Sequence, residues 1–322
     1  MKVTIKDIAA AAGVSPATVS RVLNGTANVS PNVREHVLLQ SRILGYHTHA
    51  HTDRTLAVII PGVNEIPFDG YLCTLCGAIT RIAFARGYRL EIIPYRNLEL
   101  INEKVICGAI SLMFDDGIEK EWGLRYHLPL VCINSSSRHI DGVYSVCSDE
   151  TGGMKMAVEL LVKNGHRRLG LMHTFASGFN RCNHLRKQGI IQVARELGLS
   201  DPPEIIFCNS PAMVYEPLGT LIHRGVTAIV CSGEIFSPAI SYALTIFGHR
   251  IPDDLSVIGY EFNGVSCYCL PQQTTLRQNF EELSENALNL LEQLSSGHRP
   301  AGDVTIPYQL LERATVGPVR KK

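Results

Sequence analysis

His47, His49 and His51 stand two residues apart, a spacing that could aim three imidazoles one way along an extended chain and hold a metal ion. No carboxylate or cysteine cluster lies beside them, so the segment reads as a polar tether, and neither metal nor cofactor is expected. Cys73 and Cys76 have the gap of redox and zinc motifs but fall in an apolar helical stretch without a second pair, which makes them packing residues. A phosphate-cradling glycine loop, a serine elbow with both glycines and a paired-histidine zinc helix are all missing, so no enzyme chemistry is read. What remains is a run of recognition chemistry near the start of the chain. Hydroxyl and amide groups of Thr4, Ser15, Thr18, Ser20 and Asn24 suit phosphate oxygens, and Arg21 among them carries a fork of donors.

Three short helices must position that run. Thr4 with Asp7 reads as a capping box, and Ser15-Pro16 and Ser30-Pro31 each place a serine N-cap before a proline at the first helical position. The apolar residues Ile5, Ile8, Ala9 and Ala12, then Val19, Val22 and Leu23, then Val33, Val37 and Leu44 fit one small core. Gly13 allows the tight turn between the first two helices, and a helix, a short glycine turn and a second helix make a helix-turn-helix unit. Residues 1–46 hold five basic side chains (Lys2, Lys6, Arg21, Arg34, Arg42) against two acidic ones. Over the whole chain Lys+Arg and Asp+Glu both number 30, so the basic excess is local.

The segment from Thr4 through Gly13-Val14-Ser15-Pro16-Ala17-Thr18-Val19-Ser20-Arg21-Val22-Leu23-Asn24-Gly25, continued in Val29-Ser30, Arg34 and Leu44-Gly45-Tyr46, closely resembles the DNA-binding headpiece of the lactose-repressor (LacI/GalR) family. The resemblance places Pro16, Ala17 and Arg21 at base-reading positions. Pro16 and Ala17 offer only apolar contact, for instance to thymine methyls, whereas Arg21 could donate twice to guanine O6 and N7 or else hold a phosphate. Thr4 and Ser15 have a complete structural explanation as N-caps beside their phosphate reading.

With 322 residues, 45% hydrophobic and 19% charged, the rest of the chain can bury sizeable cores. Strand-like runs alternate with helical ones: Leu56–Ile60, Leu72–Arg86, Arg89–Ile93, Gly108–Phe114 and Leu130–Ile133. Gly152–Lys163, Leu169–His173, Leu185–Leu197, Ile205–Cys208, Ala228–Cys231, Ala239–Phe247, Ser256–Tyr260 and Glu281–Leu294 follow. This alternation predicts doubly wound parallel sheets in two lobes, with a ligand cleft between them. The blocks at Asp149–Gly153, Asn164–Arg168, Arg186–Gly189, Ile251–Glu261 and Thr274–Gln278 are similar to the periplasmic-binding-protein-like sensor of the same family. The resemblance implies a homodimeric repressor on a palindromic operator, controlled by a small-molecule effector, a sugar or nucleoside. It also implies that Tyr71, Asp149, Arg186 and Glu261 line the cleft. Each of the four has a plainer reading: packing for Tyr71, an N-cap for Asp149, a surface charge for Arg186 and a helix-start carboxylate for Glu261.

The expected organisation is a helix-turn-helix domain over 1–46, a short linker over 47–55 and a two-lobed ligand-binding and dimerisation domain over 56–322. No apolar run is long enough for a membrane span and no signal peptide is read, which places the chain in the cytoplasm with its ten cysteines reduced. Three departures from the family pattern stand out. Gly233-Glu234 replaces the usual Asn-Asp, and the stretch Pro94–Ile106 is short, so the helix after the second strand should be trimmed. The linker His47–Thr55 lacks the leucine with which relatives wedge open the minor groove, and its extended reach of about 30 Å suits a loose tether that tolerates operator centres of varied spacing. If Arg21 reads guanine, Arg21→Ala should cost about 1–3 kcal/mol on the specific site and relax preference at one base position; equal loss on every sequence in a gel shift would make it a phosphate contact.

Overall fold

The computed structural model describes residues 3–25, 29–46, 54–62, 70–113, 117–136, 140–174, 181–208, 210–233 and 236–320. The three linker histidines and Glu234 lie outside these. The chain forms two compact units, the first built from residues 1–68, 75–147 and 281–304, the second from 69–74, 148–280 and 305–322.

The first unit opens with helices α1 (Ile5–Ala12), α2 (Pro16–Leu23) and α3 (Pro31–Ile43). Their starts follow the cap chemistry. Thr4 and Asp7 make a reciprocal capping box, and the Ser15 side chain accepts from the Thr18 amide. Ser30 occupies the third N-cap without a side-chain bond, leaving the fixed φ of Pro31 to set that start. Gly13 takes the left-handed conformation, φ 65°, that turns the chain from α1 into α2. Ile8, Ala9, Ala12, Val19, Val22 and Val37 close the core as the periodicity predicts, with Leu38 as an additional member.

Next come β1 (Arg54–Ile60), α4 (Gly70–Ala85), β2 (Tyr88–Pro94), α5 (Leu100–Glu103), β3 (Gly108–Ser111), α6 (Glu119–Tyr126), β4 (Leu130–Ile133) and β5 (Val143–Ser148). β1 starts two residues before the expected strand because Arg54 is held there, its guanidinium 4.0 Å over the Tyr88 ring on the neighbouring strand. The trimmed crossover is real: between β2 and β3 the chain makes only the 3-10 turn Tyr95–Asn97 and the four residues of α5.

The second unit holds α7 (Glu150–Lys163), β6 (Leu169–Thr174), α8 (Arg181–Glu196), β7 (Glu204–Cys208), α9 (Tyr215–His223), β8 (Ala228–Cys231), α10 (Phe236–Ile246), β9 (Ser256–Glu261) and β10 (Thr274–Arg277). The chain returns to the first unit for α11 (Phe280–Ser295) and β11 (Val304–Ile306) and ends its sheets with β12 (Gln309–Leu311). The two six-stranded sheets run β11-β5-β4-β3-β1-β2 and β12-β10-β9-β8-β6-β7. Each reverses its strand order once, at β1/β3 and at β6/β8, through parallel pairs. In a doubly wound sheet such a switch point opens a crevice at the carboxyl ends of the strands.

The core of the second sheet's one face joins Leu169, Leu171, Val230, Ile258, Tyr260 and Leu276 to α7 and α8, and the other face joins Met172, Ile229, Cys231 and Val257 to α9 and α10. None of the ten cysteines is in a disulfide, and burial pushes the Cys107 thiol up to about 11. Among the described residues no helix is long and apolar enough to cross a membrane, and no group of three or more metal-ligating side chains occurs. Trp122 anchors the first sheet's core, fully buried with its indole N–H donating to the Leu128 carbonyl at 2.7 Å. Trp122→Ala should therefore cost about 3–5 kcal/mol, read as a lowered urea midpoint.

Candidate functional site

Two clusters of recognition chemistry emerge. On α2, Val19 and Val22 turn into the core while Pro16, Ala17 and Arg21 are exposed. Ala17 and Arg21, four residues apart, share one face of the helix. The hydroxyls are tied into the local scaffold: Ser15 Oγ lies 2.9 Å from Thr18 Oγ1, and Asn24 Nδ2 donates to Ser20 Oγ at 3.2 Å. Thr4 Oγ1 donates to Asp7 Oδ2 at 2.7 Å, and these bonds hold the Asp7 carboxyl below its ordinary range. The five polar residues thus fix the two helix starts and the end of α2, while Arg21 extends from its last turn. Arg42, counted in the local basic excess, is spent elsewhere: its Nη2 donates to the Ile101 and Lys104 carbonyls.

The second cluster sits in the second unit at the carboxyl end of its sheet. Arg186, on α8 just after β6, is buried. Its Nε and Nη2 donate to Glu150 Oε2 and Oε1 at 2.7 and 2.9 Å, a two-bond fork. Nη1 donates to Ser232 Oγ at 2.7 Å, Nη2 lies 3.4 Å from the Tyr308 hydroxyl, and the guanidinium stacks 4.2 Å over the Tyr260 ring. Burial opposes the charge, but Glu150 outweighs it and raises the Arg186 pKa further. Tyr308 in turn donates to Glu150 and accepts from Gln278 Nε2 at 2.6 Å. A Cβ on Gly153 would stand 2.9 Å from the Tyr308 ring, so this glycine admits the ring against α7. Of the five guanidinium hydrogens, one on Nη1 keeps no partner among the described residues.

Glu261 ends β9, on the face opposite Tyr260. Its Oε2 accepts from Ser266 Oγ at 2.5 Å and Thr275 Oγ1 at 3.1 Å and pairs with Arg313 at 2.7 Å. Burial would raise its pKa, yet these bonds and the Arg313 charge hold it below the ordinary value. Asp149 is the N-cap of α7, accepting the Gly152 amide at 2.9 Å. Tyr71 packs edge-on against Phe262 and Phe280 at 5.5 and 5.6 Å. The four residues are thus spread over separate clusters, and the plainer readings of Asp149 and Tyr71 describe their observed contacts. The plainer reading of Arg186 fails, since it is buried, and Glu261 caps no helix.

Glu150, Ser232 and Tyr308 escaped the sequence reading. Glu150 carries a weak signal, a carboxylate beside a cap, but nothing local marks Tyr308, which lies 158 residues away. Two more buried polar atoms at the same strand ends, His173 Nδ1 and the Tyr260 hydroxyl, find no hydrogen-bond partner among the described residues. Burial, then the charges of Arg186 and Lys187, push His173 down to about 4, so it is neutral.

A helix-turn-helix unit ahead of two doubly wound α/β units is the build of a DNA-binding regulator with a sensor domain. The family model for bacterial regulatory proteins of the lacI family matches residues 4–49, and that for a periplasmic-binding-protein-like domain matches 158–316. The chain belongs to the lacI family of transcriptional regulators. It is 29% identical to the HTH-type transcriptional repressor PurR of Mannheimia succiniciproducens, over 89% of this chain and 90% of that one. It is also 29% identical to the regulator GalS of Salmonella typhimurium, over 92% and 91%. Among solved structures, the regulator CelR–cellobiose complex aligns with a TM-score of 0.71 at 22% identity, covering 98% of this chain and all of that one. The lac repressor dimer bound to operator and the anti-inducer ONPF aligns at 0.69 and 23%, with the same coverage.

Deleting one partner of the buried pair leaves a charge without its counterion. Arg186→Met or Glu150→Ala alone should cost about 3–5 kcal/mol in urea unfolding, and the double variant less than the sum. Glu261, with its pKa lowered on folding, favours the fold above the ordinary carboxylate range and loses that contribution as pH falls through the folded value. Glu261→Gln should flatten this acid limb in a pH series of urea midpoints.

Proposed function

We propose that the chain represses transcription as a cytoplasmic homodimer on a palindromic operator. Pro16, Ala17 and Arg21 read bases, and Thr4, Ser15, Thr18, Ser20 and Asn24 orient the reading helix against phosphates. A small polar effector, a sugar, sugar derivative or nucleoside, binds at the carboxyl end of the second sheet and changes operator affinity. The observation that carries the effector reading is a group of polar atoms there that meet no partner among the described residues: one Nη1 hydrogen of Arg186, His173 Nδ1 and the Tyr260 hydroxyl. Buried polar atoms without partners are costly, and a hydroxylated ligand supplies the missing bonds. The Arg186–Glu150 pair sums to no net charge, which favours an uncharged effector. Tyr71 and Asp149 belong to this proposal as cleft residues, Tyr71 through its ring and Asp149 by fixing the α7 start that carries Glu150. The relatives' names agree with the class, PurR being named a transcriptional repressor and GalS a transcriptional regulator.

A second reading has its own support. Arg186 and Glu261 are already paired within the protein, as they would be in a regulator whose DNA binding no ligand controls. A thermal-shift screen of sugars, nucleosides and their phosphorylated forms, followed by gel shifts on an operator selected from random DNA, separates the two. An uncharged compound should raise the melting temperature and alter operator affinity at least tenfold, about 1.4 kcal/mol. Operator binding untouched by every stabilising compound would favour the second reading.

A further inference from the structure

The crossover from β2 to β3 ends in α5, a helix of one turn. So short a helix leaves the carbonyls of its last turn without intrahelical partners, and buried carbonyls demand donors. Here the donors come from α3. Arg42 Nη2 donates to the Ile101 carbonyl at 2.6 Å and to that of Lys104 at 3.0 Å, and Nη1 lies 3.5 Å from Asn102 Oδ1. Beside these bonds Val105 joins the apolar core made by α1, α2 and α3. The contact thus combines polar satisfaction with apolar burial, and burial draws the Arg42 pKa down to about 10. Pro16, Ala17 and Arg21 remain exposed, so the contact does not occlude the reading helix.

We propose that Arg42 and the α5 end form a latch that holds the DNA-binding helices in one orientation on the first unit, making Arg42 a positioning residue for operator binding. This reverses the expectation of a loose tether. A latched headpiece moves with the sheet that carries it, and two of them in a dimer present their reading helices at one separation. Half-sites at that separation gain a high effective concentration of the second headpiece, and half-sites elsewhere lose it. The positioning role rests on the DNA-binding reading, whereas the contact itself does not.

The test uses the full chain with Arg42→Met and, from the other side of the contact, Val105→Lys. Hydrogen exchange should rise about tenfold in both variants across residues 38–46 and 100–106, while α1 and α2 stay protected. On an operator selected from random DNA, the unaltered protein should lose at least about tenfold in affinity when one base pair is added or removed at the centre. Both variants should bind the best spacing more weakly and vary less than about threefold across the series. Unchanged exchange in both variants would overturn the latch, and an unaltered protein indifferent to spacing would overturn the positioning role. Should Arg42→Met unfold the headpiece, seen as lost protection in α1 and α2, Val105→Lys decides, since it leaves those helices intact. A chain that selects no DNA sequence fails the regulator reading and the positioning role together, while exchange still decides the docking.

Discussion

An arginine keeps its charge at any pH a cell reaches, so a chain that removes one from water must surround it with acceptors. Arg186 imposes that demand on the second unit. Glu150 from the start of α7, Ser232 from beyond β8 and Tyr308 from the approach to β12 all turn toward one guanidinium, and Tyr260 of β9 lies under it. Four separate segments are registered on a single side chain. The glycine at 153 and the Gln278 bond to Tyr308 are consequences of the same demand, since the tyrosine must reach Glu150 from a fixed direction.

Such a pair contributes less to net stability than its geometry suggests, because desolvating two ions offsets most of their attraction. What it supplies is placement. The fork with Glu150 fixes the guanidinium plane, Ser232 takes one hydrogen of Nη1, and the other is left at the carboxyl ends of β6 and β8, where the strand order reverses. An apolar core would hold the unit together equally well but would leave no oriented donor at that position.

Legibility in the sequence followed the range of the interaction. Caps and turns are local, so the starts of α1 and α2 and the Gly13 turn could be read directly, and β4 and β8 match their apolar runs residue for residue. Ser30 looked the same as Ser15 yet makes no cap bond, because Pro31 alone suffices to start α3. The short edge strands β11 and β12 went unread, having three residues each and drawing their order from neighbours rather than pattern. At the site, Arg186 and Glu261 were legible as charges in α/β surroundings, but not their counterions. The Tyr308–Glu150 bond spans 158 residues and the Arg313–Thr275 bond 38, and no spacing rule reaches across either.

Arg42 shows how a charge count misleads when burial is ignored. In the sequence it adds to a basic excess suited to DNA; in the fold it answers the open carbonyls of α5. The trimmed crossover creates the need for a donor, and α3 lies close enough to meet it. The trimmed crossover and the third helix of the DNA-binding unit therefore meet in a single contact. Its chemistry resembles that of Arg186, with a guanidinium, half-buried here, registering segments far apart in sequence. The difference is in the acceptors: at Arg42 they are neutral carbonyls, with no carboxylate paired to it among the described residues, so the contact holds through hydrogen bonds and packing. A carbonyl set with no counterion is easier to exchange for other acceptors than a two-bond carboxylate fork, which suits a contact between a DNA-binding unit and its carrier better than it would suit a core.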